Sequence, residues 1–202
     1  MKDLIVLTAD VQQEKTIATL LDYRYQSMRI PHLSFDVQRH VRRDPGVFHE
    51  APAFLQMFQD SHRKALVLLD LSWDGSPGNA ETLRQNLLAR LYQQGWDEDC
   101  CDVIVITPEL ESWFWVLESP VVEEYLKLNW QTIREIGRQS STWHEDLQKP
   151  NKPKELLEII LRRQRIPRSS SVFVHIANRV SLNRCSDHAF LQFRETLAKW
   201  FG

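Results

Sequence analysis

Three short apolar runs in this chain of 202 residues each end in carboxylates. Leu4-Ile5-Val6-Leu7 leads to Asp10, Ala65-Leu66-Val67-Leu68-Leu69 to Asp70 and Asp74, and Val103-Ile104-Val105-Ile106 to Glu109 and Glu111. Runs of four or five aliphatic residues, bounded by turn signals and followed by helical patterns, read as strands buried on both faces, the mark of a parallel sheet. A weaker strand is expected at Leu33–Val37. Between the strands, Gln12–Tyr23, Ala51–Asp60 and the stretch around Leu83, Leu87, Leu88 and Leu91 have helical spacing. The expectation is an α/β fold, a mostly parallel sheet with helices on both faces.

After Trp115 the alternation gives way to helices, expected at Pro120–Leu128, Gln131–Arg138, Lys154–Arg165 and Asp187–Phe201, the last capped by Ser186. The division suggested is an α/β core over 1–118 and a helical C-terminal extension over 119–202 packed on it. No apolar run approaches the roughly 20 residues that cross a bilayer, and no signal-peptide pattern opens the chain. Three cysteines, two of them adjacent, make neither a disulfide framework nor a zinc motif, so free thiols in a reducing cytoplasm are expected.

The C-terminal ends of parallel strands share one edge, and ligands bind outside it. Up to five acids would therefore meet in one crevice, where like charges repel unless a cation or proton intervenes. Asp10, Asp70, Asp74, Glu109 and Glu111 are thus candidate ligands for Mg²⁺ or Mn²⁺, with Asp10, Asp70, Asp74 and Glu111 as the candidate catalytic set. Each has a plainer role open to it: Asp10 as a helix cap, Asp70 as a strand-end acceptor, Asp74 as a turn residue, and the two glutamates as partners of a helix dipole.

Charge is unevenly spread. Residues 1–126 hold 11 Lys and Arg against 20 Asp and Glu, whereas 127–202 hold 14 against 7. That division suits a polyanion held beside an acidic metal centre, and equally one half of the fold neutralising the other. Candidate phosphate contacts are His40, Arg42 and Arg43 after the second strand, with Lys152, Arg179 and Arg184 in the basic half. The tryptophans read as core or interface residues. There is no P-loop, dinucleotide fingerprint or nucleophile elbow, and nothing singles out a cysteine for Cys–His catalysis.

The segment Pro108-Glu109-Leu110-Glu111-Ser112-Trp113 resembles the Pro-Glu-Leu-Glu-x-Trp segment of Toprim-like proteins of uncharacterised function. The chain also resembles small components of methylation-associated bacterial defence systems. That second resemblance lies in Ala9-Asp10, His40 to Gly46, Pro108 to Trp113, Arg179-Val180-Ser181-Leu182, Cys185-Ser186-Asp187 and Ala189-Phe190-Leu191. It implies a Toprim-like fold whose acids bind magnesium for phosphoester chemistry on nucleic acid, within an anti-phage system that supplies protein partners. In the Toprim pattern a glutamate follows the first strand and an Asp-x-Asp pair a later one. Here Asp10 replaces the glutamate, and Ser72 stands where the second aspartate would fall, with Asp74 two residues further on. Two functions follow as expectations: a metal-dependent nuclease or other phosphoester-cleaving enzyme, or a non-catalytic subunit that docks other proteins.

Overall fold

A computed structural model describes all residues from Met1 to Gly202. Four parallel strands, β1 (Lys2–Thr8), β2 (Phe35–Arg39), β3 (His62–Asp70) and β4 (Cys101–Ile106), form one sheet in the order β2-β1-β3-β4. The three strands with continuous apolar runs are the ones most deeply buried, because each has a helical layer on both sides. β2 is shorter, lies at the edge, and starts two residues later than its apolar pattern suggests.

Connections between parallel strands are right-handed, so the strand order fixes where the helices go. The chain leaves β1 for β2 on one side of it, then returns past β1 to β3 on the other. Hence α1 (Val11–Tyr23) covers one face of the sheet, while α2 (Arg43–Gln56) and α3 (Ala80–Gln93) cover the opposite face. Ile5, Leu7, Val67 and Leu69 meet Val47, Ala51 and Leu55 of α2 and Leu83, Leu87 and Leu91 of α3. Leu4, Val6, Leu66 and Leu68 point the other way, toward Ile17, Leu20 and Leu21 of α1.

The remaining helices are α4 (Glu111–Phe114), α5 (Pro120–Leu126), α6 (Trp130–Gln139), α7 (Pro153–Arg163), α8 (Ser170–Arg179) and α9 (His188–Phe201). They complete the layer begun by α1, in one apolar cluster that runs from Leu4 to Leu197. Trp115, Trp130 and Trp143 lie at its heart, with ring centroids 6.0–6.3 Å apart and edges turned to faces. The cap of α9 is Asp187 and not Ser186: its carboxylate accepts from the N–H groups of Ala189 and Phe190, at 3.1 and 3.2 Å. Asp187 also takes the Trp113 indole N–H at 3.0 Å and the Lys149 ammonium at 3.3 Å, which explains why the aspartate wins that role.

α9 closes the β4 side of the sheet. Gln192 Nε2 and Arg84 Nε donate to the Val103 carbonyl, at 3.4 and 3.2 Å, and Thr196 and Arg84 both bind Asp102 at 2.6 Å. No helix is long and apolar enough to cross a membrane, and all three cysteines are free.

Two helical boundaries depart from the sequence pattern. α2 begins at Arg43, eight residues before the expected Ala51, because Pro45 lies in its first turn, where a missing N–H costs nothing. α8 occupies a segment with no helical signal in sequence; Val172, Phe173, Ile176 and Ala177 are held helical by their burial in the larger cluster.

Candidate acidic site at the strand switch point

Because the connections leave β1 and β3 in opposite directions, the topological switch point lies beyond the C-terminal ends of these two strands, the place where open parallel sheets bind ligands. Asp10 stands at its β1 side. Its Oδ1 accepts the Gln13 N–H at 2.9 Å and so caps α1. The Gln12 amide, turned with its nitrogen toward Asp10, donates to both carboxylate oxygens at 3.0 and 3.2 Å. Gln13 is fully buried and joins the two strands: its Oε1 accepts the Ala9 N–H and its Nε2 donates to Asp70 Oδ1, both at 2.9 Å.

Asp70, the last residue of β3, is the hub. Its Oδ1 also accepts the Leu110 N–H at 3.0 Å, and its own N–H donates to Asp44 Oδ1 at 2.8 Å. Burial pushes the Asp70 carboxyl well above the usual range. The charges of Asp44, Glu111, Asp10 and Glu109 push it further the same way. Asp44 is raised by burial and by Asp10 against the pull of the Asp70 N–H. Four acids from three strand ends therefore act on Asp70 across one crevice.

The two glutamates after β4 are held by the basic C-terminal half. Glu109 Oε1 accepts the Lys154 N–H at 3.1 Å, with the Lys154 ammonium 3.9 Å from the other oxygen. Burial still raises its pKa. Glu111 is 4% exposed and accepts from Arg168 Nη2 at 2.9 Å, while Arg168 Nη1 reaches Glu158. Burial, then the Glu109 charge, lift Glu111 to about 7.

Asp74 does not join them. The Ser72 N–H is tied to the Pro108 carbonyl at 3.0 Å, and Trp73 packs on Phe48 of α2, centroids 5.8 Å apart. Asp74 is left exposed on the turn beyond, without an ion pair or hydrogen bond. Its place is taken by Asp44, which the sequence pattern put in a loop. An Asp-Pro pair opening a helix is the signal that would have located it. Gln13 was also legible in principle, being a polar residue on the apolar face of α1 with Ile17, Leu20 and Leu21.

Of the other candidate residues, His40 and Arg43 line one pocket with Asp10, Gln12 and Arg39 on the β2 side of β1. His40 is buried; its Nε2 lies 3.2 Å from Glu50, its Nδ1 accepts the Arg42 N–H at 3.2 Å, and Arg42 pairs with the same glutamate. Gly46 makes that seat possible. A Cβ there would sit 2.0 Å from His40 Nδ1 and 2.6 Å from Arg42 Cβ. Gly46→Ala is expected to cost about 1–3 kcal/mol by overpacking; urea denaturation of the variant checks it, and unchanged stability would contradict so close an approach. Arg43 and Arg184 are exposed, while Lys152 pairs with Glu155 and Arg179 with Glu124. Cys101 and Cys185 are poor nucleophiles, since burial pushes Cys101 up to about 12 and raises Cys185 as well.

Comparison with protein-family models, curated proteins and solved structures finds no match for this chain.

The chemistry of the crevice is that of hard oxygen donors. One oxygen each of Asp44, Asp70 and Glu111 is fixed by the protein, and the second takes no hydrogen bond from another residue. As the side chains stand, no three His, Cys, Asp or Glu residues converge into a ready metal-holding group. Such a donor set fits Mg²⁺ or Mn²⁺ better than an ion needing a full protein cage, because magnesium keeps several waters and binds through one or two carboxylates.

Proposed function

We propose that the crevice formed by Asp10, Asp44 and Asp70 binds a divalent cation of the Mg²⁺ or Mn²⁺ class and serves phosphoester chemistry on nucleic acid. The observation that carries this reading is the set of half-satisfied carboxylates around Asp70, whose own proton affinity is raised by burial and by the charges of Asp44, Glu111, Asp10 and Glu109 at the sheet's switch point. A dication would replace those protons, activate a bound water and offset charge on a transferring phosphate. Asp70 and Asp44 would hold it, Asp10 would support it, and Gln13 would keep the Asp10 and Asp70 edges in register. The Toprim resemblance supports the same chemistry. The resemblance to defence components supports a cytoplasmic role in bacterial anti-phage defence, beside other proteins of such a system.

A second reading has its own observation. Glu109 and Glu111 are already engaged by Lys154 and Arg168, and Asp74 is turned to solvent, an arrangement that also suits a non-catalytic subunit on a Toprim-like scaffold. Isothermal titration with Mn²⁺ and Mg²⁺ separates the two. The wild type is expected to bind between micromolar and low-millimolar concentrations, and Asp70→Ala to weaken binding about 10- to 100-fold or abolish it. A folded wild type that binds neither ion, or an Asp70→Ala variant that binds as well, would overturn the metal site and leave the scaffold.

A further inference from the structure

We propose that the outer edge of β2 is a self-association surface, on which Phe35–Arg39 of two copies pair antiparallel about Val37 to make one eight-stranded sheet.

The backbone of β2 sets up the pairing. The Ser34 carbonyl accepts the N–H groups of Asp3 and Leu4, at 2.8 and 3.2 Å, and the His40 N–H donates to the Thr8 carbonyl at 2.9 Å. Even-numbered residues of this segment therefore turn their polar groups toward β1. By alternation, Phe35, Val37 and Arg39 turn theirs outward, and no other strand lies on that side. The opposite edge of the sheet is treated differently, since α9 and Arg84 occupy the outward carbonyl of β4. The β2 edge has none of that cover, and it holds no proline or glycine that would spoil pairing.

The occupant is argued from the side chains. A two-fold axis through Val37 sets Phe35 opposite Arg39 of the second copy, and Asp36 opposite its Gln38. The first pair puts a guanidinium beside an aromatic ring, and the second brings an amide donor to a carboxylate that Lys2 and His62 already hold at 2.6 and 2.9 Å. Gln38 is exposed, and its side-chain amide has no hydrogen bond within the chain. Sliding the register to centre on Arg39 would instead oppose two like charges, so the strand's own sequence disfavours that register. Phe35 and Val37 are half-buried on the α1 face beside Leu4 and Val6, and a second copy would cover what they leave exposed. The same rotation sends the two acidic crevices to opposite edges of the joined sheet.

Light scattering on the full chain during size exclusion, over a concentration series, tests this. The expected mass rises from 23.8 kDa toward twice that value. Val37→Pro removes an outward N–H and no bond to β1, so it should stay folded by circular dichroism and remain monomeric at all concentrations. Val37→Lys, which places two cations on the axis, should do the same without altering the backbone. Residues facing each other in a hydrogen-bonded antiparallel pair have Cα atoms about 5.5 Å apart, within disulfide reach. Val37→Cys should therefore give a covalent dimer when oxidised. A wild type that is monomeric throughout, a folded Val37→Lys variant that dimerises as well, or a Val37→Cys variant that never cross-links would overturn the proposal.

Discussion

Between pH 4.5 and 7 the metal-free protein is expected to lose about 3 kcal/mol of stability through Glu111 alone, taking its rise from 4.5 to about 7 at about 1.4 kcal/mol per unit. The sign follows from proton counting. In that window the folded state holds a proton on Glu111 that the unfolded chain has released, so raising the pH favours unfolding. Asp70, Asp44 and Glu109 are shifted the same way and steepen the fall. Asp3 and Asp36 are lowered by Ser34 and Lys2 respectively, and their contribution is lost only on acidification below the ordinary carboxylate range. Urea denaturation in EDTA at pH 5, 6, 7 and 8 reads the slope. Glu111→Gln should flatten it and gain stability at pH 8, while keeping an acceptor for Arg168. Stability that rises across this window, or an equal slope in the variant, would show that Glu111 is ionised throughout and fully compensated by Arg168.

Trp115→Ala is expected to cost about 3–5 kcal/mol, the range for emptying a large aromatic from a packed core. The side chain is 1% exposed, meets Phe114, Trp130 and Trp143 edge to face, and donates its indole N–H to the Pro153 carbonyl at 3.1 Å. Because the surrounding cluster runs without a break from Leu4 on the sheet to Leu197 in α9, the loss should lower one transition for the whole chain. Calorimetry with near- and far-ultraviolet circular dichroism checks this. Two separated transitions would mean that the helices after Trp115 melt by themselves.

The parallel sheet was legible because β1, β3 and β4 are buried on both faces and so are written as unbroken aliphatic runs. Strand order and helix sides then follow from handedness. What escaped the sequence was decided by contacts between distant residues. Pro45 and Gly46 look like breakers, yet they open α2. Ser170–Arg179 has no assignment from its pattern and is helical because α8 packs along α1. Asp70 and Asp10 could be placed from strand ends alone. Asp74 could not, since a turn anchored by Trp73 on Phe48 carries it outward, and Arg168 comes to Glu111 from 57 positions further along the chain.

The two faces of the sheet have different histories during synthesis. The layer of α2 and α3 draws only on residues up to β4, so it can dry as soon as the first half of the chain has left the ribosome. The other face waits. Leu66, Leu68, Ile104 and Ile106 are covered by segments that reach Phe193 and Leu197 of α9, the last of these elements in chain order. A nascent chain of this protein therefore carries a finished face and a wet one until α9 has been made. That interval is when a chaperone, or a premature stop, would most affect its fate.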